Sequence, residues 1–332
     1  MKFLIVGLGS MGKRRIRNLK ALGMDLITGF DVREDRRLEA AEHYQIKVYN
    51  RIEDAMAAEP DALVISVPPD LHVQYAMVAI NAGKPFFTEA SVVTDGMEEM
   101  IKQMRFRGVI GFPSCTMRFF PGPRRIKTLV KNGAIGQPLA WLYHCGQYLP
   151  DWHPFESIQD FYVSKRETGG CREIVPFELV WLTDLFGAVK EITAQTGKIS
   201  DLPCDIDDIY QLQIKHANSS VGSLIVDVIA QPAVRHIRIL GSKGTLEWEN
   251  SRRIVRVYWA DQGRWVEESL GLGTVEKRYL EPEEPYMEEL KAFIDCIKTN
   301  TAPAYTFEHD LEILKLLQAA EYSSASGQRI AF

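Results

Sequence analysis

From Met1 to about Pro121, short runs of consecutive apolar residues alternate with stretches that are apolar at helical spacing. Phe3–Val6, Leu26–Asp31, Ala62–Val67, Pro85–Thr88 and Val109–Phe112 read as strands. Met11–Leu22 reads as a helix, with Ile16, Leu19 and Leu22 on one side. Arg33–His43, Leu71–Ala82 and Met97–Arg105 follow as helices. Strands that are apolar on both faces and separated by helices predict a parallel sheet covered on both sides.

After Pro121-Gly122-Pro123 the rhythm changes. A helix over Arg125–Lys131, a long strand over Leu139–Tyr148 and a helix over Val175–Leu185 lead into close-set strands. These are Glu191–Thr196, Ile209–His216, Ser223–Ile229, His236–Leu240, Gly244–Glu249, Val255–Trp259 and Trp265–Glu268. Turn-like breaks at Asn218-Ser219 and Ser242-Lys243-Gly244 separate them, which predicts an open antiparallel sheet. The tail returns to helix, with Leu290, Phe293, Ile294 and Ile297 on one face and Leu311, Leu314 and Leu317 on another. The expected fold class is α/β: a Rossmann domain over 1–120, then an α+β domain with a large, mainly antiparallel sheet over 121–332.

Length agrees, since 332 residues make about two domains. A net charge of −5 argues against nucleic acid as the partner. No apolar stretch approaches the roughly 18 residues of a membrane span. The apolar run at Met1–Gly7 is too short for a secretory signal. Cys115, Cys145, Cys171, Cys204 and Cys296 are scattered and never form a CxxC pair, so neither a disulfide framework nor a metal site is expected. A cytoplasmic protein with a small-molecule substrate is the reading these features leave.

The chemistry begins at Gly7-Leu8-Gly9-Ser10-Met11-Gly12, a GxGxxG between a strand and a helix. Its glycines allow a tight turn, close approach of a pyrophosphate and helix–strand packing, with the anion at the helix N-terminus. Asp31 ends the second strand at the spacing of a ribose-binding carboxylate. That favours NAD, while Arg33 and Arg36 leave room for NADP. Ser10 and Met11 belong to the same loop. Lys13, Arg14, Arg15 and Arg17 read as a solvated helix face, with a phosphate contact as the alternative.

At this point the sequence resembles the glucose-fructose oxidoreductase / inositol dehydrogenase (Gfo/Idh/MocA) family over nearly its whole length. Ser66, Val67, Pro68 and His72 lie in Ile65–His72, which is similar to the family loop bordering the nicotinamide ribose. Ala82-Gly83-Lys84 through Thr88-Glu89 resembles the approach to the family's Glu-Lys-Pro turn. Arg118-Phe119 with Pro121, Gly133–Gly136 and Gly241–Leu246 resemble later segments, and Gln147–Trp152 is similar to a branch associated with bacterial surface sugars. The resemblance implies cofactor contacts from these loops, including Glu89, and an NAD(P)-dependent oxidoreductase of a sugar or sugar derivative.

Three positions depart from the family pattern. The turn reads Glu89-Ala90-Ser91, which puts Ala90 where the family has its lysine. The stretch Gly169–Trp181 contains no histidine; the family's histidine position falls on Phe177 or Glu178, and its aspartate position on Ile174 or Val175. Hydride transfer from a CH–OH group needs a group that takes the hydroxyl proton. Glu178, His153 and Lys165 are the candidates for that role. Arg118, Trp152, Tyr162 and Glu173 are candidates for substrate contact. For Glu178 and Glu173 the alternative is a structural ion pair with Arg118 or Arg172.

Three functions remain open: an oxidoreductase with altered proton-transfer residues, an NAD-retaining non-redox sugar enzyme, and a non-catalytic dinucleotide sensor or scaffold. A homodimer or homotetramer formed through the open sheet is also expected, with Ile225, Val226, Val228, Ile237, Ile239 and Val257 as exposed apolar rows.

Overall fold

The structure, a computed structural model, describes all residues except 153–156, 161, 272 and 277–280. In chain order its elements begin with β1 (Phe3–Val6), α1 (Ser10–Ala21), β2 (Ile27–Phe30), α2 (Glu34–Tyr44), β3 (Lys47–Tyr49) and α3 (Ile52–Ala57). Next come β4 (Ala62–Ile65), α4 (His72–Asn81), β5 (Phe86–Thr88), α5 (Met97–Arg107) and β6 (Gly111–Pro113). The second half holds α6 (Pro121–Lys131), β7 (Pro138–Gly146), α7 (Gly170–Phe186), β8 (Val189–Gly197), β9 (Ile209–His216) and β10 (Val221–Asp227). It continues with β11 (Val234–Gly241), β12 (Gly244–Glu249), β13 (Ile254–Trp259) and β14 (Arg264–Ser269). The tail comprises α8 (Glu284–Thr299), α9 (Phe307–Ser326) and β15 (Ile330–Ala331).

Two compact units result. The first joins Met1–Thr116 to Glu283–Glu312; the second joins Met117–Pro282 to Ile313–Phe332. A single boundary near residue 120 does not capture this return, which places α8 with the first unit.

The first unit is a six-stranded parallel sheet in the order β3-β2-β1-β4-β5-β6. Chain order reverses direction between β1 and β4, the position where open α/β sheets bind ligands at the carboxyl ends of their strands. Phe3–Val6 and Ala62–Ile65 have no exposed surface, which explains their unbroken apolar sequence. The short edge strand β3 and helix α3 carry no comparable apolar run and were not anticipated from the pattern.

The second unit is a nine-stranded sheet in the order β14-β13-β12-β11-β7-β10-β9-β8-β15. It is mainly antiparallel, but its centre departs from expectation because β10 pairs with β7 in parallel. Helix α7 also starts earlier than its apolar pattern suggests, at Gly170, and runs through Pro176.

One face of this sheet is buried and the other is open. The expected exposed rows lie on the wrong side: Val226, Val228, Ile237 and Ile239 are fully buried and Val257 nearly so, while only Ile225 is partly exposed. Strand alternation sends odd and even positions to opposite faces, so the open face carries Leu142, Val221 and Leu240 instead. Among the described residues no helix is long and apolar enough to cross a membrane.

Near the start of α9, the carboxyl of Asp310 is buried and accepts a hydrogen bond from the Tyr305 hydroxyl at 2.8 Å. Burial, only partly offset by that bond, lifts its pKa to about 7. A carboxyl whose folded pKa exceeds its unfolded value contributes stability that is present in acid and lost as pH rises through about 7. Asp310→Asn is therefore expected to raise the melting temperature at about pH 8 but not at about pH 4. Thermal unfolding of both proteins across that range checks it.

Candidate functional site

At the carboxyl end of β1, Gly7 has φ +93°, and a Cβ there would stand 2.5 Å from the Ser66 carbonyl oxygen. A Cβ on Gly12 would fall 1.9 Å from the Gly7 carbonyl oxygen, so α1 packs onto the loop only because that position is bare. Gly9 is the N-cap of α1, and no side chain caps that helix. The loop is thus shaped to bring an anion to the helix N-terminus. Ser10 and Met11 form the first helical turn.

Asp31 organises the loop. Its Oδ2 accepts from the Leu8 amide and its Oδ1 from the Arg33 amide, both at 2.8 Å. The Arg33 side chain turns away to pair with Asp35. The Arg36 guanidinium is the nearer cation, 3.8 Å from Asp31 and against Gly9. These residues suit a dinucleotide: a bare loop at a helix start, with a carboxylate one strand away for the adenosine ribose.

The ends of β4, β5 and β6 meet around a side chain the sequence reading assigned to solvent. Arg15 has no exposed surface. Its Nε and Nη2 donate to the two oxygens of Glu89 at 2.8 and 2.7 Å, and Nη2 also reaches Glu289 at 2.9 Å. Nη1 donates to the Tyr286 carbonyl, and the guanidinium lies over the Phe87 ring. Burial opposes the Arg15 charge, but Glu89 and Glu289 outweigh it and its pKa is raised. Ser66 donates to Glu89 at 2.9 Å. Glu289 in turn accepts from Ser114, the Cys115 amide and Thr116.

The solvated-face reading of α1 is corrected on the same helix. Arg14 and Arg17 pair with Glu283, and Lys13 pairs with Glu39. In the loop after β4, which holds Ser66, Val67 and Pro68, buried His72 donates from Nε2 to the Val67 carbonyl at 3.0 Å. Burial lowers its pKa, which keeps the ring neutral.

In the second unit, Glu178 is also fully buried. Its carboxylate accepts from Tyr143 at 2.6 Å, from Trp181 at 2.8 Å and from Cys145 at 3.3 Å, and it pairs with Arg235 at 3.1 Å. Burial first, then Glu178, pushes the Tyr143 phenol and the Cys145 thiol well up, so both remain protonated donors. A general base must reach its proton, and this carboxylate is enclosed. The ion pair is with Arg235 rather than with Arg118 or Arg172.

Arg118 pairs with Asp184, and Arg172 pairs with Glu321. The start of α7 gathers a different group. The Tyr162 hydroxyl donates to Glu173 at 3.1 and 2.8 Å, and the Trp152 ring lies against Gly170. Lys165 is exposed on the neighbouring loop. His153 lies outside the described residues. His144 is half-exposed and bonded to Asp227 at 2.6 Å. Among the described residues no cluster of His, Cys, Asp and Glu is arranged to hold a metal ion.

Glu289, Arg235 and Tyr143 carry no signal in the sequence, and Arg15 reads there as part of a solvated face. Arg15 and Glu289 are 274 positions apart, and no local pattern links them.

Comparison with known proteins agrees with this geometry. Residues 1–110 match the profile of an oxidoreductase family with an NAD-binding Rossmann fold, and residues 124–247 match the GFO/IDH/MocA C-terminal domain. The chain is 26% identical to a myo-inositol 2-dehydrogenase of Thermotoga maritima, over 97% of this chain and 96% of that protein. It is 25% identical to a levoglucosan dehydrogenase of Pseudarthrobacter phenanthrenivorans, over 70% of this chain and 65% of that protein. Its fold matches an Agrobacterium radiobacter oxidoreductase solved with NAD+, L-tartaric acid and magnesium. That match has a TM-score of 0.88 at 16% identity and covers 100% and 98% of the two chains.

Replacing Arg15 with Met would leave the buried Glu289 and the largely covered Glu89 without their cation. The expected cost is about 3–5 kcal/mol of unfolding free energy, read by denaturant titration. Both family profiles match in chain order, one on the glycine-loop unit and one on the large sheet, and the chain belongs to the GFO/IDH/MocA oxidoreductase family.

Proposed function

We propose that this chain is an NAD-dependent oxidoreductase that interconverts CH–OH and C=O on a sugar or sugar derivative, with an unusual proton-handling group. The observation that carries the cofactor reading is Asp31. Its carboxylate is pinned at the end of β2 beside the glycine loop, where it accepts ribose hydroxyls and repels a 2′-phosphate. Arg36, 3.8 Å from that carboxylate, is the residue through which NADP would be admitted. The substrate class rests on the relatives, which include inositol and levoglucosan dehydrogenases.

NAD, when bound, supplies the hydride acceptor. The hydroxyl proton must go to the protein, and the Tyr162–Glu173 pair suits that task best. A phenol hydrogen-bonded to a carboxylate passes a proton along the bond, and both groups are only partly buried. Trp152, against Gly170, offers an apolar wall for a sugar ring. Glu178 acts through Arg235 and Tyr143 as a positioning residue that holds α7 on β7. Lys165 and His153 remain candidates for the proton-transfer role, and Arg118 for substrate contact.

A dinucleotide sensor is the second reading. It is favoured by Ala90 at the family's lysine position and by the enclosure of Glu178. It requires cofactor binding without turnover.

A second copy of the chain is the proposed partner for the open sheet face, through Leu142, Val221 and Leu240. Light scattering on the purified chain tests this, and a monomer at micromolar concentration would sink it.

The function is tested by calorimetric binding of NAD+ and NADP+, followed by NADH formation with myo-inositol, levoglucosan and related polyols. Tyr162→Phe is expected to lower kcat about 100-fold or more without weakening NAD+ binding. Unchanged kcat would remove Tyr162 from proton transfer.

A further inference from the structure

The turn from β2 into α2 sets three arginines around one carboxylate, in the run Asp31-Val32-Arg33-Glu34-Asp35-Arg36-Arg37. The three are engaged in different ways. Arg37 is turned onto the main chain, where Nη1 donates to the Asp31 and Val32 carbonyls at 2.9 Å. Arg36 stands against Gly9 and 3.8 Å from the Asp31 carboxylate. Arg33 is held by Asp35 on two prongs: Nε donates to Oδ1 at 3.1 Å and Nη2 to Oδ2 at 2.6 Å.

The hydrogen bonds from Arg33, with a smaller contribution from the Arg36 amide, hold the Asp35 carboxyl at about 2. Asp35 is therefore ionised wherever the protein is neutral to mildly acidic. Glu34 and Asp35 both lie in the first turn of α2, where acidic side chains complement the helix dipole. The grip on Arg33 is what sets Asp35 apart from Glu34.

The place of this grip matters. In a doubly wound sheet the carboxylate that ends β2 takes the ribose hydroxyls of the adenosine half, and an arginine nearby takes a 2′-phosphate. The Arg33 amide lies 2.8 Å from the Asp31 carboxylate, so its side chain starts beside the group that a 2′-hydroxyl meets. A 2′-phosphate brings further negative charge next to Asp31, and charge-assisted bonds from guanidinium groups are what offset that repulsion. Arg36 supplies one such group, already shared with Asp31. Arg33 is the second, and it is turned away.

We propose that Asp35 decides the cofactor choice of this chain: by holding the Arg33 guanidinium it withholds the second cation that a 2′-phosphate requires, and so keeps NADP+ out. NAD+ has no phosphate at that position and is indifferent to where Arg33 points. The inference rests on the dinucleotide reading given above and names the residue that selects between its two forms.

Kd for NAD+ and for NADP+ would be measured by calorimetry on the full chain. Five proteins would be compared: wild type, Asp35→Asn, Glu34→Gln, Arg33→Ala, and Arg33→Ala combined with Asp35→Asn. The Arg33 and Asp35 side chains are 52% and 63% exposed, so the substitutions leave the core untouched.

The wild type should bind NAD+ more tightly than NADP+. Asp35→Asn frees Arg33 and should tighten NADP+ by roughly three- to fivefold, the scale of an exposed ion pair, with NAD+ changed less than about twofold. Made in the Arg33→Ala chain, the same Asp35 change should bring no gain. Glu34→Gln removes one charge from the same turn without releasing Arg33, and serves as the control for net charge. A gain that survives the loss of Arg33, an equal gain from Glu34→Gln, or no gain at all overturns the proposal and leaves the dinucleotide reading standing. A wild type that already binds NADP+ as tightly as NAD+ does the same. A wild type that binds neither nucleotide overturns both.

Discussion

A single buried cation organises the carboxyl edge of the parallel sheet. Arg15 projects from the helix that begins at the glycine loop, and it reaches Glu89 at the end of β5 and Glu289 on α8. Through Glu89 it orders Ser66 after β4, and through Glu289 it orders Ser114, Cys115 and Thr116 after β6. Desolvating a guanidinium is expensive, and only close carboxylates with their own donors make it tolerable. The arrangement therefore demands that five segments be in register at once. The glycine loop is thereby tied to the carboxyl ends of β4, β5 and β6.

The second unit solves a related problem differently. Arg235 and Glu178 form a buried pair in which the carboxylate is supported by a phenol, an indole and a thiol, and Glu281 shares the guanidinium. Carboxylate and donors together bind α7 to the sheet. The Tyr162–Glu173 pair at the start of the same helix is by contrast only partly buried. The two clusters differ in how far their carboxylates are covered. The Arg15 network presents its carboxylate outward, while the Arg235 network keeps its catalytic-looking carboxylate inside.

Much of the nucleotide-binding half was legible in the sequence because its signals are local. An apolar run such as Phe3–Val6 is a strand buried on both faces, and a glycine at position 7 or 12 records a backbone that leaves no room for a Cβ. Asp31 stands out by spacing alone, and the structure sets its carboxylate against the Leu8 and Arg33 amides. The second half was harder. Alternation along β10 and β11 reveals that a strand has two faces, but not which one its own helices will cover, so Val226, Ile237 and Ile239 were assigned to the wrong side. Nor does periodicity distinguish a parallel neighbour from an antiparallel one, which is why the β7–β10 pairing came only with the fold.

The sequence by itself determined the fold class and the glycine loop with the carboxylate set beside it. These depend on residues near one another in the chain, where backbone geometry and hydrophobic period leave a readable trace. Tertiary structure alone decided that Arg14 and Arg15 of α1 are buried rather than solvated, that Glu178 is enclosed, and that Arg15 meets Glu289 across 274 positions of chain. Each is a matter of which charges meet across long stretches of chain. The fate of an ionised side chain is set by the partners that surround it after folding, and a list of residues does not contain them.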